Sequence, residues 1–478
     1  MAAEVTVGVW LVAIYLLIPV FLYVFAPRGP STEDLNRRAR AIVLVLGDLG
    51  RSPRMMYHAR SLARGNVEVN LCGYDEGSQI IPEIANSPIV SIHRLPVIKN
   101  TGGLPFILFA IKKVFLQHYY LLTLLWKLRG AEFLLVQNPP SIPTLGVAKI
   151  FIIFMSRRTK LLIDWHNLGY SILGLKLGPN HILVRVYEWY EKFFGNKAYC
   201  HFTVTVRMGQ VLKKKFGMRA RRIVPLYDRP ASNFTPLDDN ERRAVIQQHK
   251  DTIFKDLKKN EKIVITSTSY TPDENLYTLL SALKAYDHEV SMTQKSANVQ
   301  TQRQFPPLRV IVTGKGPMFD EMKEVIEKQN MENVTVHQVW LSIEDYPKVL
   351  GTADLGVSLH ESSSGWDLPM KVVDMFGCGV PVIAIGFPAL PELVKEGVNG
   401  LIVDDSEGLA DALKVVFSDS SLLKTLKSGA VRESRLKWDS NWLTKVGPLF
   451  GIGEYAPTPD GYVSESSSSD SDSDEELL

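Results

Sequence analysis

AIVLVLGDLG (Ala41–Gly50) is a run of aliphatic residues with no polar alternation, broken at once by Gly-Asp-Leu-Gly. A strand of that kind is buried on both faces, which implies a parallel sheet covered by helices rather than a sheet with one wet side. Arg51-Ser52-Pro53-Arg54 then opens a helical pattern through Leu62, and the alternation repeats. VEVNLCGY (Val67–Tyr74), IVSIHRL (Ile89–Leu95), AEFLLVQNPP (Ala131–Pro140), KLLIDWHN (Lys160–Asn167), CHFTVTVRM (Cys200–Met208) and RIVPLYDRP (Arg222–Pro230) read as further strand ends. A polar stretch from Asp238 to Glu261 reads as a connection, and a second series starts at KIVITSTSYTPDENLYTLLSAL. LRVIVTGKGP, NVTVHQVWL, ADLGVSLH and GLIVDD continue it. The expected fold class is therefore α/β, with two doubly wound domains. Ligands of such sheets sit beyond the carboxyl ends of the strands, so two facing domains leave one natural site, the cleft between them.

The expected boundaries are a membrane anchor at 1–30, a first domain at 38–235, a second at 236–435, a closing helix at 436–455, and a disordered acidic Ser-rich tail at 456–478. Val5–Phe25 is apolar enough and long enough, at roughly 20 residues, to span a bilayer. Only Glu4 precedes it, whereas Arg28, Arg37, Arg38 and Arg40 follow, which puts the body of the chain on the cytosolic side. A cleaved signal peptide is the alternative, disfavoured by the missing basic n-region. LPFILFAIKKVFLQHYYLLTLLWKL, within 101–128, is a buried helix or one lying in a membrane interface; Lys112, Lys113 and His118 argue against a second span. The net charge of +3 gives no reason to expect a nucleic-acid partner. Three scattered cysteines offer neither a disulfide framework nor a metal-ligand spacing, so no metal is expected.

The segment SSSGWDLPMKVVDMFGCGVPVIA (Ser362–Ala384) carries the densest chemistry. Pro369 suits the start of a helix, and a helix N-terminus offers free N–H groups and a partial positive charge to a phosphate. Ser362, Ser363, Ser364 and Gly365 allow close approach and add hydroxyls; Asp367 and Leu368 lie next to them, and Lys371 is a cation candidate. Asp374, about one and a half turns in, is placed to accept from a sugar or ribose hydroxyl pair. Gly314 and Lys315 of VTGKGP form a second expected cradle. These parts suit a nucleotide-diphosphate sugar.

GWDLPMKVVDMFGCGVPVIA followed by LPELVKEGVNGLIVDDSEGLADAL resembles the nucleotide-binding half of the GT-B glycosyltransferases, which have two Rossmann-like domains. Their usual pair of Glu residues flanking this helix is absent: Trp366 stands where the first would fall and Asp374 where the second would. GDLGRSPRM, DWHNLGYSI, STSYTPDE and SSSGWDLPMKVVDMFGCGVPV, in that order, resemble the chitobiosyldiphosphodolichol β-mannosyltransferase family from the anchor to about Phe450. The resemblance implies transfer of the first mannose, in β-1,4 linkage, from GDP-mannose to GlcNAc2-diphosphodolichol, without a metal or other cofactor. It also implies the cytosolic face of the endoplasmic reticulum membrane, with other early N-glycan assembly enzymes as expected partners. GDP rather than UDP comes from the resemblance alone.

Making a β-mannoside from an α-linked donor inverts the anomeric carbon, so a general base must take the acceptor proton. Candidates in the first domain are Asp48, His166 and Asp164, with orienting His166 or capping the turn through Asn167 as the alternative roles for Asp164. Gly47 and Gly50 would let the acceptor diphosphate approach, and Arg51 and Arg54 would neutralise it. A UDP-sugar transferase and a catalytically dead membrane scaffold are the competing readings. A nicotinamide dehydrogenase is excluded because Gly47-Asp48-Leu49-Gly50 is not Gly-x-Gly-x-x-Gly.

Overall fold

The computed structural model describes residues 38–100, 102–218, 223–271, 274–295, 305–342, 344–360 and 362–454. The expected anchor at 1–30 and the acidic tail at 456–478 lie outside them. The first lobe is a seven-stranded parallel sheet of β1 (Arg40–Asp48), β2 (Glu68–Tyr74), β3 (Val90–Leu95), β4 (Phe133–Asn138), β5 (Lys160–Trp165), β6 (Cys200–Thr203) and β7 (Ile223–Pro225), in the order β3-β2-β1-β4-β5-β6-β7. The second is a six-stranded parallel sheet of β8 (Lys262–Thr268), β9 (Leu308–Gly314), β10 (Val334–Val339), β11 (Leu355–Ser358), β12 (Val382–Ile385) and β13 (Gly400–Val403), in the order β10-β9-β8-β11-β12-β13. Each order reverses beside its first strand, at β1/β4 and at β8/β11, and these switch points are where doubly wound sheets open a crevice.

Strand β1 shows why the sheet is covered twice. Ile42, Leu44 and Leu46 enter one core and Ala41, Val43 and Val45 the other. Burying an aliphatic side chain of this size contributes about 1.5–3 kcal/mol, so neither face can be left to water. The helices Phe106–Lys127, Thr144–Ile150 and Ile182–Gly195 cover the first of these faces. Pro53–Arg64 and the C-terminal helices Trp438–Lys445 and Gly447–Phe450 cover the second. The C-terminal segment thus returns from the second lobe to the first, where Trp438 Nε1 donates to Ser61 Oγ (3.1 Å) and Asp439 pairs with Arg60 and Arg64.

The stretch Asp238–Glu261 is more than a connection. Asp238 and Glu241 form a capping box on the helix Asp239–Gln248, and Val245, Ile253 and Phe254 are buried in the core of the second lobe. The helix Phe106–Lys127 buries Gln117, Leu121 and Leu125 and exposes its opposite side. Among the described residues no helix is long and apolar enough to cross a membrane.

Candidate active site in the cleft between the lobes

The two carboxyl edges meet. The loop after β11 reaches across to the loops after β5 and β6: Asn167 Nδ2 donates to Ser363 Oγ (3.2 Å), and Thr205 Oγ1 donates to the Trp366 carbonyl (2.7 Å). The Trp366 ring packs against the first-lobe core. Further along, Glu392 of the second lobe accepts from the amides of Val206 (2.7 Å) and Arg207 (2.8 Å) and from the Tyr227 hydroxyl (2.8 Å). That carboxylate caps the first turn of the first-lobe helix Val206–Lys214, where a negative charge is favoured.

On the first-lobe side, Asp164 is the penultimate residue of β5 and is fully buried. Arg54 grips it in two places, Nε to Oδ2 at 2.8 Å and Nη2 to Oδ1 at 2.9 Å. His166 Nε2 lies 2.9 Å from Oδ2, and His58 Nε2 lies 3.2 Å from the same oxygen. Burial alone would raise this carboxyl, but Arg54 and the two imidazoles hold it well below the usual carboxylate range. His58 in turn accepts from Trp442 Nε1 at Nδ1 (2.9 Å), so its proton sits on Nε2, and burial keeps the ring neutral. Asp164 is therefore no proton acceptor; of its three expected roles, the geometry supports orienting His166. An ionised Asp164 takes the Nε2 proton of His166 as a hydrogen bond, which leaves Nδ1 as the basic nitrogen of a half-buried ring, with no partner among the described residues.

The expected acceptor-side groups fare differently. Arg54 is 4% exposed and also donates to the Leu226 carbonyl (2.9 Å) and to Asp228 (2.8 Å). Burial opposes its charge, yet the two carboxylates raise it, so it is a committed ion-pair partner and not the diphosphate cation expected. Arg51 is exposed and contacts Ser78 Oγ (3.3 Å), with Asp48 Oδ2 at 3.6 Å. Asp48 is nearly buried at the end of β1; its Oδ1 accepts from the Glu76 amide (3.2 Å), and Oδ2 has no hydrogen-bond partner. A Cβ at Gly50 would lie 2.4 Å from the Cβ of Ser78, so that glycine serves the packing of a neighbouring loop. At Gly47 a Cβ meets only ordinary contact.

On the second-lobe side, the helix Met370–Gly377 begins with Pro369 at its cap rather than inside its first turn. The amides of Met370 and Lys371 have no acceptor among the described residues, the arrangement a helix needs to receive a phosphate oxygen. The Ser362 and Ser364 hydroxyls are spent on the loop itself. Ser362 and Ser364 donate to Asp367, Ser362 Oγ accepts from the Gly365 amide (2.8 Å), and Ser363 faces Asn167. Burial opposes it, but His360 and Ser362 hold the Asp367 carboxyl below its ordinary range. Gly365, at φ +78°, makes the tight return. Leu368 packs on the second-lobe core.

Lys371 pairs with Glu274, which also accepts from the Ser269 amide (2.6 Å) and Thr268 Oγ1 (2.8 Å). The Asp374 carboxyl, by contrast, has no hydrogen bond or ion pair with the described residues, and burial pushes it up to about 7. Gly314 lies against the β8 loop: its Cβ would fall 1.7 Å from the Thr268 carbonyl, so its glycine requirement comes from protein backbone and not from a ligand. Lys315 is exposed and in no ion pair among the described residues.

Sequence reasoning missed His58, Asp228, Glu274 and Glu392. The spacing of Arg54, His58 and Ser61, all buried polar residues on one helix stripe, was the available signal for the first.

A model of the family described as "Glycosyl transferases group 1" matches residues 248–432, within the second lobe. A protein of Yarrowia lipolytica named chitobiosyldiphosphodolichol beta-mannosyltransferase is 52% identical, over 97% of this chain and 98% of its own. A protein of Arabidopsis thaliana named UDP-glycosyltransferase TURAN is 39% identical over 87% of this chain and 98% of its own. Among solved structures, the sucrose-phosphate synthase of Thermosynechococcus elongatus superposes with a TM-score of 0.61 at 17% identity, covering 87% of this chain and 98% of that one. At that identity the likeness is one of fold: the GT-B arrangement of two parallel-sheet lobes.

Proposed function

Because the chain belongs to the chitobiosyldiphosphodolichol beta-mannosyltransferase family, a group of glycosyltransferases in N-glycan precursor synthesis, we propose that it transfers mannose from GDP-mannose, with inversion, to GlcNAc2-diphosphodolichol. The observation that carries the reading is the meeting of the two sheet edges, with His166 on one side and the unbonded Met370 and Lys371 amides on the other. An acceptor hydroxyl held between them attacks the anomeric carbon. Its oxygen forms the new bond, its proton passes to His166 Nδ1, and the bond to the diphosphate breaks with its electron pair going to the leaving GDP. The helix amides, Lys371 and Lys315 meet that growing charge, and Asp374 binds donor hydroxyls. Lys371 must exchange Glu274 for phosphate to do so. The acceptor lipid places the reaction at the endoplasmic reticulum membrane, with the lobes in the cytosol.

Purified protein incubated with GDP-mannose and a chitobiosyl-diphosphate lipid is expected to release GDP and give a β-linked mannoside by product analysis. A second reading, transfer from a UDP-sugar, is favoured by the name of the Arabidopsis thaliana relative. Turnover with UDP-sugars and none with GDP-mannose would establish that reading and overturn the first. No heat on titrating GDP would reduce the chain to a scaffold.

A further inference from the structure

Where the chain returns from the second lobe to the first, it does so with two tryptophans one helical turn apart. Trp438 and Trp442 sit on the helix Trp438–Lys445, and both are buried. Each donates its indole N–H to a fully buried polar residue of the helix Pro53–Arg64: Trp438 Nε1 to Ser61 Oγ (3.1 Å), and Trp442 Nε1 to His58 Nδ1 (2.9 Å). As ties between two helices the bonds are equivalent. They differ in what lies beyond the acceptor. The Ser61 hydroxyl has no hydrogen bond to Arg54, Asp164 or His166 among the described residues, whereas His58 faces the cleft network.

An indole nitrogen can only donate, so Nδ1 of His58 must accept and the ring's proton is confined to Nε2. That N–H faces Asp164 Oδ2 at 3.2 Å. With the proton on the other nitrogen, a lone pair would face an ionised carboxylate in a fully buried place, where repulsion is strong. The ring is also held from turning: it stacks on Phe202 with 5.6 Å between centroids and meets Trp438 edge to face at 5.2 Å. Asp164 Oδ2 is the same oxygen that His166 Nε2 meets at 2.9 Å. Arg54 and His58 thus reach one carboxylate from adjacent turns of one helix, and Trp442 decides which face of the imidazole that carboxylate sees.

We infer that Trp442 and His58 are positioning residues for the base: the C-terminal helix, through the Trp442 indole, fixes the His58 proton that steadies Asp164 Oδ2, and this keeps His166 Nδ1 turned to the acceptor hydroxyl. The inference rests on His166 as the base. It makes the segment after the second lobe part of the catalytic apparatus of the first, although none of its residues reaches the cleft by this route.

The test assays the full-length protein with GDP-mannose and a chitobiosyl-diphosphate lipid. Trp442→Phe keeps an aromatic ring and removes only the donor; kcat is expected to fall roughly three- to tenfold, the worth of one hydrogen bond, with both KM values unchanged. Ser61→Ala breaks the matched bond between the same two helices, off the path to Asp164, and should leave kcat within about twofold. A glutamine amide can still donate to Asp164 and a phenylalanine cannot, so His58→Gln should keep more kcat than His58→Phe. On top of His166→Ala, Trp442→Phe should cost nothing further, because residues that act through one group are not additive. Equal kcat for Trp442→Phe and Ser61→Ala overturns the inference, and so does an undiminished loss from Trp442→Phe in the His166→Ala chain. If Trp442→Phe does not fold, the two His58 variants decide, and equal kcat for both overturns it. A kcat that His166→Ala leaves unchanged overturns the assignment of the base, and this inference with it.

Discussion

The two rims of the cleft solve opposite problems. On the first lobe, Asp164, Arg54, His58 and Asp228 already hold one another, and what they leave open is one nitrogen of His166. On the second lobe the open groups are the ones without protein partners: two helix amides and the Asp374 carboxyl, with Lys371 held by Glu274. The first rim is complete before any substrate arrives, so it can orient a base at no further reorganisation. The second is incomplete and gains its partners from a ligand.

Breaking the complete rim should do the most damage. Asp164→Ala leaves the buried Arg54 guanidinium with Asp228 as its one remaining carboxylate, and losing a partner of a buried ion pair costs about 3–5 kcal/mol. Chemical denaturation should show that loss together with loss of turnover; a native-like midpoint would mean the network is not holding the rim. His166→Ala separates structure from chemistry. Its imidazole is half-buried and outside the core, so the fold should survive while kcat falls roughly 10²–10⁴-fold, the usual contribution of a general base. Donor KM should stay within a few-fold. A kcat unchanged by His166→Ala would move the base elsewhere, with Asp48 and its unbonded Oδ2 the next group to test.

How far the residues announced this differs between the rims for a physical reason. Patterns local in sequence were readable: the uninterrupted apolar run of β1, the end of β5 with Asp164 and the turn after it with His166, and the start of the helix at Met370. Pairings distant in sequence were not. Arg54 looked like a free cation beside Gly50 because its partner Asp164 lies 110 residues away, and His58 meets Trp442 across 384 residues. The hydroxyls of Ser362 and Ser364 looked available for the opposite reason. Their acceptor, Asp367, is only a few residues on, and short polar side chains in a loop often bond locally before they bond a ligand.

The incomplete rim yields smaller effects that read out in binding. Lys371→Ala should raise donor KM by roughly ten- to a hundredfold, the scale of one charged hydrogen bond, and leave acceptor KM alone. Glu274→Gln frees the lysine without removing it, so donor KM should not rise with it. If both substitutions weaken the donor equally, the pair is acting as one fixed unit, and the contrast between a finished and an unfinished rim fails on the second lobe.

Asp374→Asn should give the smallest change and the most specific one. The carboxyl ordinarily ionises near 3.8, whereas burial raises it to about 7 in the folded chain. Between those values the folded state keeps a proton that the unfolded state has released. Stability from this group is therefore undiminished at acid pH, falls as pH rises through that window, and levels off above it. Asparagine carries no such penalty, so the Tm of Asp374→Asn minus that of the unsubstituted protein should grow across the window and then stay constant. An amide can still bond a donor hydroxyl, and donor KM should rise only about three- to tenfold. Asp164, ionised and paired throughout that range, gives no such rise in its own substitutions. A Tm difference independent of pH would mean that Asp374 is charged and satisfied without a ligand, as Asp164 is, and the two rims would then be built alike.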